Sequence, residues 1–194
     1  MKSITTLYMV RHAESPFAFG EERSRGLSPE GEAAAARVAE RLRGEPIDAV
    51  VSSAYRRAVL TVQPLADLKG LPVVAYEELV ERPIKGPDCR AEWSVLEQAI
   101  ARSFEDWDYA LEGGETTREA QARAVPVIER LLREYEGKAV AVGTHGNIMT
   151  IIMAHYDRRF GYAFWQGASK PDIYKLSFEG STLIRTERLW SDHD

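Results

Sequence analysis

Short apolar runs alternate with segments of helical periodicity along most of the chain. The first run covers about Ile4 to Val10, and later runs cover Ile47 to Val51, Val73 to Ala75 and Ala139 to Thr144. Apolar runs of this length, separated by helical patterns, are typical of buried strands in a largely parallel sheet. The pattern therefore predicts an α/β protein, a three-layer α/β/α sandwich with helices on both faces of the sheet.

Polar residues at the starts of the helical segments support the prediction of helices there. Ser28 is a favourable N-cap, and Pro29 is a favourable first helical residue. Thr116 and Glu119 have the spacing of a capping box before a long helix. A further helix is predicted to run from Gly146 to about residue 155.

The end of the chain and its middle depart from the simple alternation. Strands are predicted at Asp172 to Phe178 and Thr182 to Thr186, joined by a hairpin turn, so one of them must run antiparallel to its neighbour. Residues 77–113 are irregular, with a helix predicted near 92–103. We interpret this segment as a lid inserted in a single domain that covers residues 1–194.

Composition restricts the class of protein further. The 194 residues, 28% of them charged and 44% hydrophobic, fit one globular domain. The net charge of -5 argues against a nucleic-acid partner. No apolar stretch approaches the ~20 residues that span a membrane, the N-terminus makes a poor signal peptide, and Cys89 has no second cysteine to pair with. These features predict a cytoplasmic protein with no membrane partner, and they give no prediction of oligomeric state.

The candidate chemistry lies where three of the predicted strands end. Arg11 and His12 follow the first run, Ser52 with Ser53 ends the second, and His145 follows the fourth. The carboxyl ends of parallel strands meet at one edge of a sheet, where ligands bind. An arginine binds phosphate oxygens bidentately and a neutral imidazole attacks phosphorus, so this edge favours phosphate chemistry.

Five motifs, in order, resemble the histidine phosphatase superfamily, also called phosphoglycerate-mutase-like. They are Arg11-His12-Ala13-Glu14, Leu27-Ser28-Pro29-Glu30-Gly31, Ser52-Ser53 through Arg57-Ala58 with Thr61, Gly113-Gly114-Glu115-Thr116, and His145-Gly146. The resemblance covers nearly the whole chain.

The resemblance implies a role for each of the matched residues. His12 is expected to be the nucleophile, and the charges of Arg11 and Arg57 disfavour its imidazolium form. The two arginines are expected to hold the phosphoryl oxygens, and His145 to donate a hydrogen bond to them. Gly146 would bring backbone N–H groups at a helix start close to the anion.

The resemblance also implies a general acid, for which three neighbouring carboxylates compete. Glu81 matches the position after Leu-x and is the preferred candidate, while Glu78 and Glu77 stay open. Glu14 is expected to hold an arginine of the site. Ser52 is expected to contact the residues that bind the ligand and not the ligand itself.

The implied activity is phosphate-monoester hydrolysis through a phosphohistidine, with a small phosphate ester or phosphate as ligand. No metal is expected, because the four histidines lack metal-ligand spacing, and no cofactor is expected. The alternatives are a cofactor-dependent phosphoglycerate mutase, a protein phosphohistidine phosphatase, and an inactive module that binds a phosphorylated ligand.

One departure from the family pattern bears on the substrate. Phe17 and Ala18 stand where mutases and many broad phosphatases carry Trp-Asn. We therefore expect a phosphatase rather than a mutase, with an apolar mouth that accepts bulky esters. The aromatic candidates for that mouth are Phe17, Phe19, Tyr55, Trp93, Phe104, Trp107 and Tyr109.

Overall fold

A single six-stranded sheet organises the computed structural model, which describes residues 2–191 and 193. The strands are β1 Ile4–Arg11, β2 Ala49–Ser53, β3 Val73–Tyr76, β4 Ala139–Thr144, β5 Asp172–Glu179 and β6 Thr182–Arg188. Their order across the sheet is β3-β2-β4-β1-β5-β6. β5 is antiparallel to both neighbours, and the other pairs are parallel. The predicted mostly parallel sheet with one antiparallel strand is confirmed.

Six helices flank the sheet in the described part of the chain. They are α1 Pro29–Arg41, α2 Arg56–Lys69, α3 Trp93–Glu105, α4 Thr117–Glu134, α5 Gly146–Tyr156 and α6 Tyr162–Gly167. The Ser28 hydroxyl accepts the Gly31 amide at 3.0 Å, and Thr116 forms the predicted capping box with Glu119. Helix α6 was not predicted, because its six residues have no side-chain cap and no buried face.

Alternating side chains of β1 divide the core between the two faces of the sheet. Leu7 and Met9 belong to an apolar cluster that contains residues of α4 and α5. Tyr8 and Val10 belong to a second cluster, with residues of α1 and α2. The period of two along a strand thus gives each face its own layer of helices, as a three-layer sandwich requires.

The irregular segment 77–113 packs around a small cluster of its own. It begins with a 3-10 helix at Glu77–Leu79 and contains α3. Ile84, Ala99 and Ile100 form the buried centre of this cluster. A separate cluster is consistent with an inserted lid, which stays a prediction. No helix among the described residues is long and apolar enough to cross a membrane.

Candidate active site

The carboxyl ends of β1, β2 and β4 bring the predicted residues together. β4 lies between the other two strands, and its register places Thr144 opposite Arg11. The His12 amide donates to the Thr144 carbonyl at 2.9 Å, which continues the ladder one residue beyond β1. The rings of His12 and His145 consequently lie with centroids 5.2 Å apart.

The hydrogen bond of His12 defines which of its ring nitrogens is protonated. Nδ1 lies 2.7 Å from the Ala13 carbonyl, which can only accept, so Nδ1 carries the proton. In the neutral ring, Nε2 then holds a free lone pair. Burial, together with the charges of Arg57 and Arg11, lowers the pKa of His12 well below its usual value. The ring is therefore neutral near pH 7, as attack on phosphorus requires.

His145 is oriented by Ser53, the last residue of β2. The Ser53 hydroxyl accepts the Tyr55 amide at 3.1 Å and lies 2.7 Å from His145 Nε2. Burial and the neighbouring His12 and Arg57 lower the pKa of His145 well below its usual value, so the ring is neutral. A hydroxyl can both accept and donate, so this contact is compatible with a neutral ring that carries its proton on Nδ1 and can donate it to a ligand. That buried Nδ1 has no hydrogen-bond partner in the described structure.

Two buried arginines flank the histidines. Arg57 is the second residue of α2, and Arg11 is the last residue of β1. Arg11 Nη1 donates to the Ala168 carbonyl at 2.9 Å. The Nε atoms of both arginines are buried and have no hydrogen-bond partner among the described residues. Buried donors without an acceptor are rare in folded proteins, so their presence beside His12 indicates a site for an anion.

Gly146 is required by the packing of Arg11 and not by its backbone angles. A Cβ added at Gly146 would lie 2.6 Å from Arg11 Nη2 and 2.7 Å from Arg11 Cζ. The guanidinium therefore lies directly against the first turn of α5. A helix N-terminus carries unpaired N–H groups and favours an anion nearby.

Glu81 lies at the same helix N-terminus. Its Oε1 accepts the amides of Arg82 at 2.9 Å and Ile148 at 2.8 Å, and its Oε2 accepts the Asn147 amide at 3.1 Å. Oε2 therefore has the greater remaining capacity to exchange a proton. The two competing carboxylates are exposed, and the Glu77 carboxylate pairs with Arg23.

The structure differs from the predictions for Glu14 and Ser52. Glu14 is exposed, and no ion pair of its carboxylate with an arginine occurs in the described residues; instead its backbone carbonyl accepts the Ser28 amide at 3.0 Å. The Ser52 hydroxyl donates to the Ser53 carbonyl at 2.9 Å, and the contact to His145 is made by Ser53. Successive side chains of a strand point to opposite faces, so only one of the two serines can support the histidine.

Sequence reasoning missed Glu22 and Arg25, which lie in the loop between β1 and α1. The Glu22 carboxylate accepts from Arg57 Nη2 at 2.5 Å, and its other oxygen lies 3.5 Å from Arg25 Nε. Arg25 Nη1 donates to the Ser15 carbonyl at 2.9 Å. The loop carries no pattern that marks these residues, because its contacts depend on where β2 and α2 place Arg57.

An apolar groove of about 430 Å³ adjoins Glu81 and Tyr55. Its lining includes Phe17, Phe19, Tyr55, Pro83, Ile84 and Leu96. Three of the predicted mouth aromatics therefore line it. The other four do not line it. Trp93 is exposed, and Phe104 and Tyr109 pack against the cluster of Ile84, Ala99 and Ile100. The Trp107 indole donates to the Phe104 carbonyl at 3.2 Å.

No group of three or more His, Cys, Asp or Glu residues that could hold an ion occurs in residues 2–191 and 193. The site thus combines a neutral histidine, buried cationic donors and a carboxylate. Groups of this kind suit the binding and transfer of a phosphoryl group.

Comparison with known proteins assigns the family. The model of the histidine phosphatase superfamily (branch 1) matches residues 7–184, so the chain belongs to this superfamily. It is therefore an enzyme of the histidine phosphatase type. Among curated proteins, no sequence matches the chain.

Solved structures agree with this assignment. A mycobacterial glucosyl-3-phosphoglycerate phosphatase shares 25% identity over 95% of this chain and 97% of its own, with a TM-score of 0.75. YhfR of Bacillus stearothermophilus shares 24% identity over 93% of this chain and 94% of its own, with a TM-score of 0.73. A phosphoglycerate mutase from Bacillus anthracis shares the fold at 15% identity, covering 94% of this chain and 92% of its own, with a TM-score of 0.74. The mycobacterial phosphatase has also been solved with vanadate and with inorganic phosphate.

Proposed function

We propose that this protein hydrolyses phosphate monoesters through a phosphohistidine on His12. The observation that carries the proposal is the set of buried, unpartnered donors beside the His12 ring: Arg11 Nε, Arg57 Nε and His145 Nδ1. A phosphoryl group supplies the oxygen acceptors that these donors lack. Its negative charge also offsets the two guanidinium charges.

In the first half-reaction, His12 Nε2 attacks phosphorus and the ester P–O bond breaks. Glu81 donates its proton to the departing oxygen, which leaves as the alcohol. In the second half-reaction, a water attacks the phosphohistidine, the N–P bond breaks, and the Glu81 carboxylate takes the proton. Phosphate leaves and both residues return to their starting protonation states. Apart from the ester and the water, these two steps use only side chains of the protein, and we expect them to proceed without a metal or cofactor.

The substrate class follows from the apolar groove beside Glu81. The leaving group must lie on the side of the phosphoryl group from which the acid delivers its proton. That side opens to Phe17, Phe19 and Ile84, which favour contact with a sizeable apolar or aryl group. A phosphoglycerate, which carries a second anion, gains no matching contact from these three side chains, and Lys85 is the lining cation that it could meet. The proposed activity is therefore hydrolysis of bulky phosphate esters, with the mutase reaction negligible.

A phosphoenzyme assay tests the mechanism. The enzyme is mixed with an aryl [³²P]phosphate, quenched, and the bound label is challenged with acid and with alkali. The expected label is acid-labile and alkali-stable, absent from His12→Ala and retained in His155→Ala, which alters an exposed histidine of α5. An acid-stable label, or label in His12→Ala, contradicts the proposal. Loss of turnover in EDTA, or phosphoglycerate mutase turnover comparable to hydrolysis, contradicts it as well.

A further inference from the structure

Arg82 is a buried arginine that the proposed chemistry does not use. It lies at the start of the irregular segment, and its side chain reaches three helices. Nη2 donates to Ser103 Oγ and Asn147 Oδ1, both at 2.8 Å. Nη1 donates to Thr117 Oγ1 at 3.3 Å and to the Glu115 carbonyl at 3.5 Å. A guanidinium with this many partners from α3, α4 and α5 is held in one position.

The same residue is joined to Glu81 by two routes. Its backbone amide donates directly to Glu81 Oε1 at 2.9 Å. Its guanidinium holds the side chain of Asn147, whose backbone amide donates to Glu81 Oε2 at 3.1 Å. Both residues thus bind the first turn of α5. Arg82 binds the Asn147 side chain, and Glu81 accepts the backbone N–H groups of Asn147 and Ile148.

Charge adds to this geometry. Burial lowers the pKa of Arg82 to about 10, and the neighbouring Glu81 and Glu115 carboxylates act in the opposite direction. Arg82 therefore keeps its positive charge at neutral pH. That charge lies close enough to Glu81 for the two groups to interact.

We propose that Arg82 is a positioning residue that acts through Asn147 to hold the Glu81 carboxyl where it can protonate the leaving group. This inference rests on the proposed role of Glu81 as general acid. Both Nη groups of Arg82 are engaged by the protein. Its buried Nε has no partner among the described residues, so direct contact with the ligand is the outcome that the test must separate from action through Glu81.

The proposal is tested by the dependence of rate on the leaving group. An alkyl phosphate needs a proton on its leaving oxygen, whereas p-nitrophenyl phosphate barely needs one. The measured quantity is kcat/KM, because it covers only the steps up to loss of the leaving group. Arg82→Lys keeps the charge but loses the forked geometry, and Asn147→Ala removes the link while leaving Arg82 in place.

We expect both variants to lower kcat/KM for the alkyl phosphate about 10- to 100-fold, a part of what a general acid contributes. We expect a loss of about threefold or less for p-nitrophenyl phosphate. In a Glu81→Gln background, Arg82→Lys should add almost nothing, because the group that it positions can no longer donate a proton.

Ser103→Ala is the matched control. It removes one acceptor of Arg82 but leaves the bond to Asn147 intact. Its loss should be the same for both esters, and thermal unfolding of every variant reports any general loss of stability.

Equal losses on the two esters in Arg82→Lys and Asn147→Ala would overturn the positioning role, as would additive losses in the Glu81→Gln background. If Glu81→Gln itself loses equally on both esters, the assignment of the acid is wrong instead. The two failures are therefore distinguishable.

Discussion

Arg57 donates one Nη to the backbone carbonyl of Glu22 at 2.6 Å and the other to the Glu22 carboxylate at 2.5 Å. A carboxylate and a phosphoryl group present similar paired oxygens to a guanidinium fork. Glu22 therefore holds the arginine that the proposed mechanism assigns to the substrate. Its side chain is half exposed, so it can swing away from a buried partner.

Glu22→Gln should bind inorganic phosphate and vanadate more tightly. Removing the charge removes a competitor for Arg57 worth about 1 kcal/mol, which corresponds to about fivefold in the inhibition constant. Competitive inhibition measured at fixed ionic strength reports this change. Glu21→Gln, which removes the same charge from an exposed neighbour, controls for net charge. Weaker binding in Glu22→Gln would show that Glu22 orients Arg57 for the ligand instead of competing with it.

Gly146→Ala should displace the Arg11 guanidinium while the fold persists. The new methyl group would lie 2.6 Å from Arg11 Nη2, so the side chain must move by about 1 Å. A displacement of this size costs up to about 10²-fold in kcat/KM. Gly167→Ala is the control, because a Cβ there meets nothing within 4 Å. Normal kcat/KM in Gly146→Ala would mean that Arg11 does not hold the phosphoryl oxygens.

Phe19→Ser should weaken selection for bulky esters. The ring is highly exposed and lines the groove, so its removal takes contact area from an aryl leaving group and leaves the phosphoryl contacts unchanged. We expect kcat/KM for naphthyl phosphate to fall about 5- to 10-fold relative to that for ethyl phosphate. Trp93→Ser removes an exposed aromatic side chain outside the groove and should leave this ratio unchanged. An unchanged ratio in Phe19→Ser would exclude the groove as the leaving-group site.

The folded protein should lose stability as the pH falls through about 6.5. Burial holds the pKa values of His12 and His145 well below that of an unfolded chain. Below about pH 6.5 the unfolded chain takes up protons that the folded chain does not, at up to about 1.4 kcal/mol per pH unit for each histidine. Above that pH, this contribution is constant.

Urea unfolding between about pH 5 and about pH 8 measures the effect. His145→Asn should flatten the profile, whereas His155→Asn should leave it unchanged because His155 is exposed. A profile that is equally steep in His145→Asn would show that His145 does not contribute to the acid sensitivity.

The sequence predicted the parts of the site that strand ends dictate. Once β1 and β4 are parallel neighbours, Arg11, His12 and His145 have to meet, and the apolar runs alone define those strands. The sheet, its antiparallel strand and the helix caps were predictable for the same reason, since each depends on a local pattern.

The parts that depend on packing between distant segments were not predictable. Ser52 and Ser53 are an example. Side chains alternate along a strand, so the sequence predicts that one of the two serines faces His145, but it does not predict which one. Glu22 and Arg82 lie in segments without periodicity, and their partners are 35 and 65 residues away along the chain. The positions of the aromatic residues between 93 and 109 were not predictable for a similar reason, because a large aromatic residue has the same signature in a small core as in a groove.

The two bonds of the Ser53 hydroxyl have a consequence for the energetics of turnover. The hydroxyl accepts from the amide of Tyr55, the N-cap residue of α2, and lies against His145 Nε2, while Arg57 follows Tyr55 by two residues. One short stretch of backbone therefore sets both the orientation of the histidine ring and the location of the guanidinium. In the proposed mechanism, the dipoles that meet the phosphoryl oxygens are preorganised when the chain folds, and little solvent reorganisation is left for the reaction itself.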